Sequence, residues 1–246
     1  MHSKIDRQLE RMTPDDAGQA LSEAGVAYLP ICPLEWHGRH LPVGVDLTIA
    51  LRLCLHAAER TGGVVLPPLS IGVGGEHGGY PFTALSPARD LDPVLADLVR
   101  RVLGWPGVRL VVLFCGHFAE EQKQQLERLN RCAASVANVV LALSPADCPD
   151  PGIPLDHAGR FETGLMLAWA SEQVHKDRLP TETAWPIEEG ESAWSDTRHD
   201  PAHPLYGVFG GDPRRASREE GRALAERLTT WLAGRVRARL DRLCDH

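Results

Sequence analysis

The chain has 246 residues, which is enough for one large α/β domain or two small ones. The side chains are 43% hydrophobic and 24% charged, and 26 basic against 33 acidic residues leave a formal charge of −7. This acidic balance, without a Lys/Arg run, argues against nucleic-acid and anionic-membrane partners. No apolar stretch approaches the ~20 residues that span a bilayer, and the N-terminus lacks a signal-peptide pattern. Six cysteines without a CxxC pair predict reduced thiols in a cytoplasmic protein.

Helical and extended patterns alternate along the chain. Thr13 as N-cap and Pro14 at the first position predict a helix over residues 14–24, and the apolar run that follows predicts a buried strand over 25–32. Further along, the patterns predict helices over 47–60, 91–103, 119–135, 160–173 and 217–243, and strands over 64–66, 108–114 and 136–143. Alternation with short links predicts an α/β fold whose mostly parallel sheet is covered on both faces. Ligands of such sheets bind at the carboxyl ends of the strands.

Residues 179–214 interrupt this alternation. They are rich in Pro, Gly, Trp and charge and show no regular period. Long irregular segments of this kind are often lids or binding loops, although a surface excursion without a role is an equal alternative. We expect one domain over residues 1–246 with a lid or binding segment at 179–214.

Polar side chains follow the first predicted strand. Glu35, His37 and Asp46 lie within twelve residues of one another and belong to the ligand types of zinc, manganese and iron sites. If the stretch is extended, Glu35 and His37 point to the same face. Solvated loop charges are the alternative, but interleaved apolar residues favour a packed loop in which buried carboxylates need partners such as metal ions.

Two later clusters also follow predicted strands or begin predicted helices. His117 comes directly after the strand that ends at residue 114, so it becomes a candidate third ligand at the same sheet edge. Glu120 stays open as a ligand, whereas Glu121 fits a first-turn helix charge. Glu162 begins a predicted helix and is either an inward ligand or a helix charge, with His157 just before it.

A glycine-rich loop carries Glu76 and His77 between pairs of glycines. Glycines let the backbone approach a ligand closely, so we interpret Glu76 and His77 as substrate contacts, with a plain turn as the alternative. No phosphate-binding glycine motif, GxSxG elbow or HExxH helix is present in the sequence. Cys115 ends a buried strand and fits a packed thiol better than a nucleophile.

Together these clusters resemble the motifs of the creatininase family, which includes creatinine amidohydrolases and formamide hydrolases. The family pattern E-x-H-G-x-H-L-P followed by an aspartate corresponds to residues 35–42 and Asp46. Its E-H-x-x-F-P-G-T loop, N-G-H turn, H-A-G-x-x-E-T segment and late G-x-x-G-D-P segment correspond to residues 76–83, 115–117, 157–163 and 207–213. The matches keep the family order over residues 28–216.

The resemblance implies a three-layer α/β/α fold, a homohexamer and two divalent metal ions per chain, with zinc favoured and manganese or iron compatible. In the family pattern Asp46 would bridge the two ions. Glu35 and His117 would complete one site, and His37 would complete the other together with a glutamate.

The glutamate opposite His37 is where this chain departs from creatininase proper. In that enzyme it lies two residues after the turn histidine, where this chain has Ala119. Other members of the family resemble this chain in lacking it and use the glutamate of the H-A-G-x-x-E-T segment, so the resemblance implies Glu162 in this role, with Glu120 as the alternative. Cys115 in place of the usual Asn and Phe82 in place of the usual Gly also count against creatinine itself as the substrate.

The implied activity is hydrolysis of a small, cyclic amide or related C–N bond through a metal-bridging hydroxide. His157 fits a proton shuttle to the leaving nitrogen, because imidazole changes charge near neutral pH. Trp185 and Trp194 of the irregular segment could close over the substrate. Hydrolysis of a cyclic ketone or lactone in sugar metabolism, and cleavage of a modified peptide, are alternatives on the same metal site. The non-enzyme alternative is a metal-stabilised protein that binds a small molecule.

Overall fold

A single parallel sheet forms the centre of the protein, whose computed structural model describes residues 6–74, 77–134 and 139–244. The strands are β1 (Val26–Ile31), β2 (Val64–Val65), β3 (Leu110–Cys115) and β4 (Val140–Leu143), in the order β2-β1-β3-β4. All three pairings are parallel, and Ile31 lies opposite Cys115. The chain therefore leaves β1 and β3 side by side at the same edge of the sheet.

Among the described residues, six α-helices cover this sheet, and every residue of the four strands is buried. They are α1 (Pro14–Ala24), α2 (Val45–Thr61), α3 (Ala88–Leu103), α4 (Glu120–Ala134), α5 (Arg160–Trp169) and α6 (Arg218–Cys244). Helices α2, α5 and α6 pack against one another, and α3 packs against α4. The predicted three-layer α/β/α fold with a parallel sheet is confirmed.

Most predicted elements begin and end within three residues of the observed ones. The prediction for residues 160–173 is too long, because Ala170 leaves the helical region (φ −149°, ψ 52°) and a separate 3₁₀ turn follows. Helix α2 begins at Val45 rather than residue 47, which places Asp46 in its first turn. Residues 135–138, at the junction of a predicted helix and strand, lie outside the described residues.

The irregular segment, residues 179–214, consists of loops and short 3₁₀ turns. Parts of it are packed into the molecule, since Leu205 and Val208 join the main hydrophobic core and Arg198 is buried. Within the described part of the chain, no helix combines the length and apolar character needed to cross a membrane.

Candidate active site

Five side chains that the sequence predicts as ligands meet at the carboxyl edge of the sheet. Two follow β1, one begins α2, one follows β3 and one begins α5: Glu35, His37, Asp46, His117 and Glu162. Each is at most 5% exposed. We call these five side chains the floor of the site.

The segments that carry Asp46 and His117 are held together by the Cys32 thiol and by a close approach of their main chains. The Cys32 thiol donates to the Asp46 carbonyl (3.2 Å) and accepts from the Gly116 amide (2.9 Å). Burial raises the pKa of Cys32 well above its usual value, so the sulfur keeps its proton. A Cβ at Gly116 would lie 2.2 Å from the Asp46 carbonyl oxygen, so only glycine fits. Asp46 and His117 are consequently fixed relative to each other.

The floor divides into two ligand groups that share Asp46. In one group, His117 Nδ1 lies 2.8 Å from Glu35 Oε2 and 3.5 Å from Asp46 Oδ2. In the other group, His37 Nε2 lies 3.3 Å from Asp46 Oδ1 and 3.3 Å from Glu162 Oε2. Within each group the potential ligand atoms all lie within 4.8 Å of one another. Asp46 thus presents one carboxylate oxygen to each group.

The floor has the charge and the unpaired atoms that a cation would satisfy. Glu35 Oε2, His37 Nε2 and both carboxylate oxygens of Asp46 are buried without a hydrogen-bond partner. Burial lowers the pKa of His37, but Glu162 and Asp46 outweigh it and raise that pKa well above its usual value. Buried carboxylates at this density require positive charge, and mixed N/O donors suit divalent metal ions. The residues present therefore fit a metal centre.

Backbone contacts fix the orientation of the ligand side chains. His37 Nδ1 donates to the Glu35 carbonyl (3.0 Å), which leaves the lone pair of Nε2 for a metal. The Ala158 amide donates to Glu162 Oε2 (2.6 Å), and Ala158 reaches that position in the left-handed region (φ 54°). The nearby His40 is not a floor side chain. Burial lowers the pKa of His40 to about 3, so its ring is neutral.

Two further imidazoles line the site above the floor. His157 Nε2 donates to the Trp36 carbonyl (2.8 Å), and His157 Nδ1 lies 4.0 Å from Glu35 Oε1. Burial lowers the pKa of His157 well below its usual value, against the opposing effect of Glu35. Glu35, His37 and His157 also form a third potential ligand group. His77 Nδ1 lies 2.5 Å from Glu35 Oε1, whereas the predicted substrate contact Glu76 lies outside the described residues.

The structure brings Glu162, rather than Glu120, to the floor. The exposed Glu120 carboxylate accepts from Lys123 Nζ (2.6 Å) and from Gln124 (3.3 Å). Glu120 and Ala119 lie on the lining of the cavity above the floor. Glu120 therefore lies at the rim of the cavity, where the Lys123 ammonium group balances its charge.

A cavity of about 580 Å³ opens above the floor. Glu35, His117 and Glu162 line it from the floor, and three aromatic side chains that also line it form what we call the wall: Trp194, His199 and Phe209. Trp185 instead packs edge-on against His203, with 4.9 Å between ring centroids. Sequence reasoning missed His199 and Phe209, whose only signals were their places in the irregular segment and in the late motif at 207–213.

A buried carboxylate–imidazole floor beneath a cavity, at the carboxyl edge of a parallel sheet, is the arrangement expected of a metal-dependent hydrolase. A family model for creatinine amidohydrolase matches residues 10–236, and the chain belongs to the creatininase family.

The relatives of this chain include a protein named as an amidohydrolase and another named as a peptidase. The creatinine amidohydrolase of Pseudomonas putida is 30% identical over 250 residues, covering 86% of this chain and 88% of that protein. A mycofactocin precursor peptide peptidase of Mycolicibacterium smegmatis is 27% identical over 250 residues, covering 96% of this chain and 89% of that protein. A solved mutant creatininase of Zn–Zn type has a TM-score of 0.73 at 23% identity, covering 95% of this chain and 98% of that one. That structural likeness supports the fold.

Proposed function

We propose that the floor holds two divalent metal ions and that the protein hydrolyses a C–N bond of a small, cyclic amide. The observation that carries this proposal is the position of Asp46, whose two oxygens face two separate ligand groups. Glu35 and His117 would complete one metal site, and His37 and Glu162 the other. Zinc is our preferred metal, with manganese or iron as alternatives; zinc and manganese both occur in the names of solved creatininases.

Divalent ions at such a floor supply Lewis acidity to a carbonyl group and lower the pKa of water towards neutrality. The chain's own residues move the protons. Because His157 Nε2–H is bonded to the Trp36 carbonyl, the lone pair of the neutral ring lies on Nδ1, near Glu35. His157 Nδ1 can therefore carry a proton transiently to the leaving nitrogen. Burial lowers the pKa of this ring well below its usual value, so the ring is neutral between transfers and does not change charge near neutral pH as its residue type alone predicted. His77, bonded to Glu35, borders the same cavity and orients the substrate.

Peptide-bond cleavage is the second candidate function on the same floor. A cavity of about 580 Å³ exceeds the volume of a single small ring, and Ala119 leaves open the place where creatininase proper carries a glutamate. A relative named as a peptide peptidase supports this candidate. Cyclic ketones and lactones belong in the same substrate screen.

Other properties follow as proposals from the family resemblance and the sequence. We propose a homohexamer and a single domain, the latter supported by one main core that includes residues from Ala20 to Val236. Residues 179–214 would act as the substrate-binding segment. A cytoplasmic location is supported by the five cysteines whose side chains are described, all of which are free.

Metal analysis together with a substrate screen tests the proposed function. Purified protein should contain close to two divalent ions per chain, and chelation should abolish activity and lower the melting temperature, because bound ligand stabilises the folded state. The loaded protein should then be screened against cyclic amides, formamides, lactones, cyclic ketones and short peptides. Full activity without metal would overturn the proposal, and a loaded protein that hydrolyses none of these compounds would favour the binding-protein alternative.

A further inference from the structure

Beyond His77 and His157, a third imidazole above the floor faces the cavity, and the proposed function gives it no role. His199 lines the cavity, is exposed, and contacts the Tyr80 hydroxyl through Nδ1 at 2.7 Å. Its ring centroid lies 6.2 Å from that of His77, which in turn contacts Glu35 of the floor. A substrate held at the floor could therefore reach His199 with its distal part.

The backbone that carries His199 is fixed by a buried arginine. Arg198 is 1% exposed, and its guanidinium donates to the Val208 carbonyl (2.6 Å) and to Glu188 Oε2 (2.5 Å). The Arg198 carbonyl accepts from the Gly207 amide at 2.9 Å. His199 is therefore held on a fixed backbone, although it lies in a short 3₁₀ turn (Asp196–His199) rather than in an α-helix or a strand.

The contact with Tyr80 also sets the tautomer of His199. A separation of 2.7 Å is typical of an O–H donor, and the other acceptor near the Tyr80 hydroxyl, the Arg198 carbonyl, is 3.5 Å away. Burial raises the pKa of Tyr80 well above its usual value, so the hydroxyl keeps the proton that it donates. His199 Nδ1 then accepts, and the ring proton lies on Nε2, which is directed away from Tyr80.

Flat aromatic surfaces flank this donor. Phe209 lies 4.8 Å from His199 between ring centroids, and Trp194 stacks near Phe209 at 6.5 Å with an interplanar angle of 28°. Trp194 is 56% exposed, an unusual exposure for so large an apolar side chain. Gly210 (φ 92°) permits the approach of Trp194, because a Cβ there would lie 3.0 Å from the indole ring. The wall thus combines planar apolar surfaces with an N–H donor on His199, beside the indole N–H of Trp194.

We infer that the wall is a substrate subsite which receives a planar group bearing a hydrogen-bond acceptor, with His199 Nε2–H as the donor. The inference rests on the proposed function and deepens it by naming the substrate class. The preferred substrates are amides with a second carbonyl or a similar acceptor on a flat frame beyond the scissile carbonyl. Tyr80 acts as the positioning residue, because it contacts His199 rather than the substrate.

Solid-state NMR of sedimented, zinc-loaded protein labelled with ¹⁵N-histidine tests the tautomer without any turnover. The His199 signals, identified by their loss in His199→Gln, should show a bare Nδ1 and a protonated Nε2. Tyr80→Phe keeps the ring in place and should remove this preference. A protonated Nδ1 in the wild type, or an unchanged tautomer in Tyr80→Phe, would overturn the positioning role.

A matched pair of probes tests the subsite. N-Methylsuccinimide and N-methyl-2-pyrrolidinone share a five-membered ring and differ in one carbonyl acceptor. By calorimetry on the zinc-loaded protein, the two-carbonyl probe should bind about fivefold more tightly, as one net hydrogen bond allows. His199→Phe should abolish this preference, whereas His199→Gln, which retains a donor, should preserve most of it.

Metal content separates the two proposals. All His199 variants should keep close to two ions per chain, because His199 touches none of the floor side chains in the described contacts. An equal affinity for both probes in the loaded wild type, or an unchanged preference in His199→Phe, would refute the subsite while the metal-dependent reaction stands. If the wild type instead binds far fewer than two ions per chain, the metal proposal itself fails.

Discussion

The floor and the wall of the cavity are built in different ways. The floor side chains stand just after strands or in the first turns of α2 and α5, and main-chain contacts such as the one between Gly116 and Asp46 fix them. The wall side chains stand on loops and 3₁₀ turns, held by Arg198 and by the Tyr80 hydroxyl. On our proposals the rigid floor determines the reaction, and the irregular wall selects the substrate.

This division follows from the different backbone elements that carry the floor and the wall. A side chain at the end of a buried strand inherits the rigidity of the whole sheet, which a two-metal site needs because its ligand atoms must keep fixed separations. A side chain on a loop depends on a few local contacts, and loops tolerate changes that would disrupt a sheet. The following changes should break or sharpen the contrast, in order of decreasing effect.

Asp46→Ala should have the largest effect, because one carboxylate faces both ligand groups. Removal of the metal contribution corresponds to several kcal/mol of transition-state stabilisation, or roughly a thousandfold loss of activity or more. Elemental analysis should find metal lost from both sites. Retention of two ions per chain would refute the bridging role of Asp46.

Glu162→Gln and Glu120→Gln form a matched pair at the floor and the rim. Glu162→Gln should lower the metal content towards one ion per chain, since Glu162 Oε2 lies 3.3 Å from His37 Nε2. Glu120→Gln should leave two ions, because that carboxylate is exposed and bonded to Lys123. Elemental analysis of both variants decides between them, and the reverse pattern would assign the ligand to Glu120.

Arg198→Met should loosen the wall while leaving the floor intact. The change leaves the Val208 carbonyl and Glu188 without their partner and should lower the free energy of unfolding by about 2–3 kcal/mol, as measured by denaturant titration. KM should rise more than kcat falls, and the metal content should stay unchanged.

The control for Arg198→Met is Arg215→Met, which removes the exposed pair between Arg215 and Glu189 in the same region. It should leave stability and KM nearly unchanged, because exposed ion pairs contribute little. Equal losses in the two variants would contradict the anchoring role of Arg198.

Phe82→Gly should have the smallest effect, and a stabilising one. Phe82 adopts a left-handed conformation (φ 59°) in the turn after Tyr80, and its side chain is 80% exposed. Glycine removes the steric penalty without leaving a cavity, so thermal denaturation should show a gain of about 0.5 kcal/mol. A loss of stability would contradict the prediction and show that the Phe82 ring contributes to folding despite its exposure.

The fold and four of the five floor residues could be predicted because their signals are local. Buried strands are apolar runs, helices carry their own caps, and polar residues at the ends of parallel strands must meet at one edge. The choice between Glu120 and Glu162 could not be made from the residues alone, since both stand in the first turn of a helix. The structure separates the two carboxylates, because α4 turns Glu120 to solvent whereas α5 packs Glu162 against His37.

The sequence by itself determined the α/β class and the order of the elements, because spacing along strands and helices carries that information, and its polar clusters singled out Glu35, His37, Asp46 and His117 at one edge of the sheet. Only the tertiary structure decided that Glu162 rather than Glu120 reaches the floor, that Trp185 lies away from the cavity, and that His199 faces it. The wall brings together residues from an irregular segment whose path no periodic pattern describes. That path depends on long-range contacts, such as Tyr80 with His199, which exist only once the chain has folded.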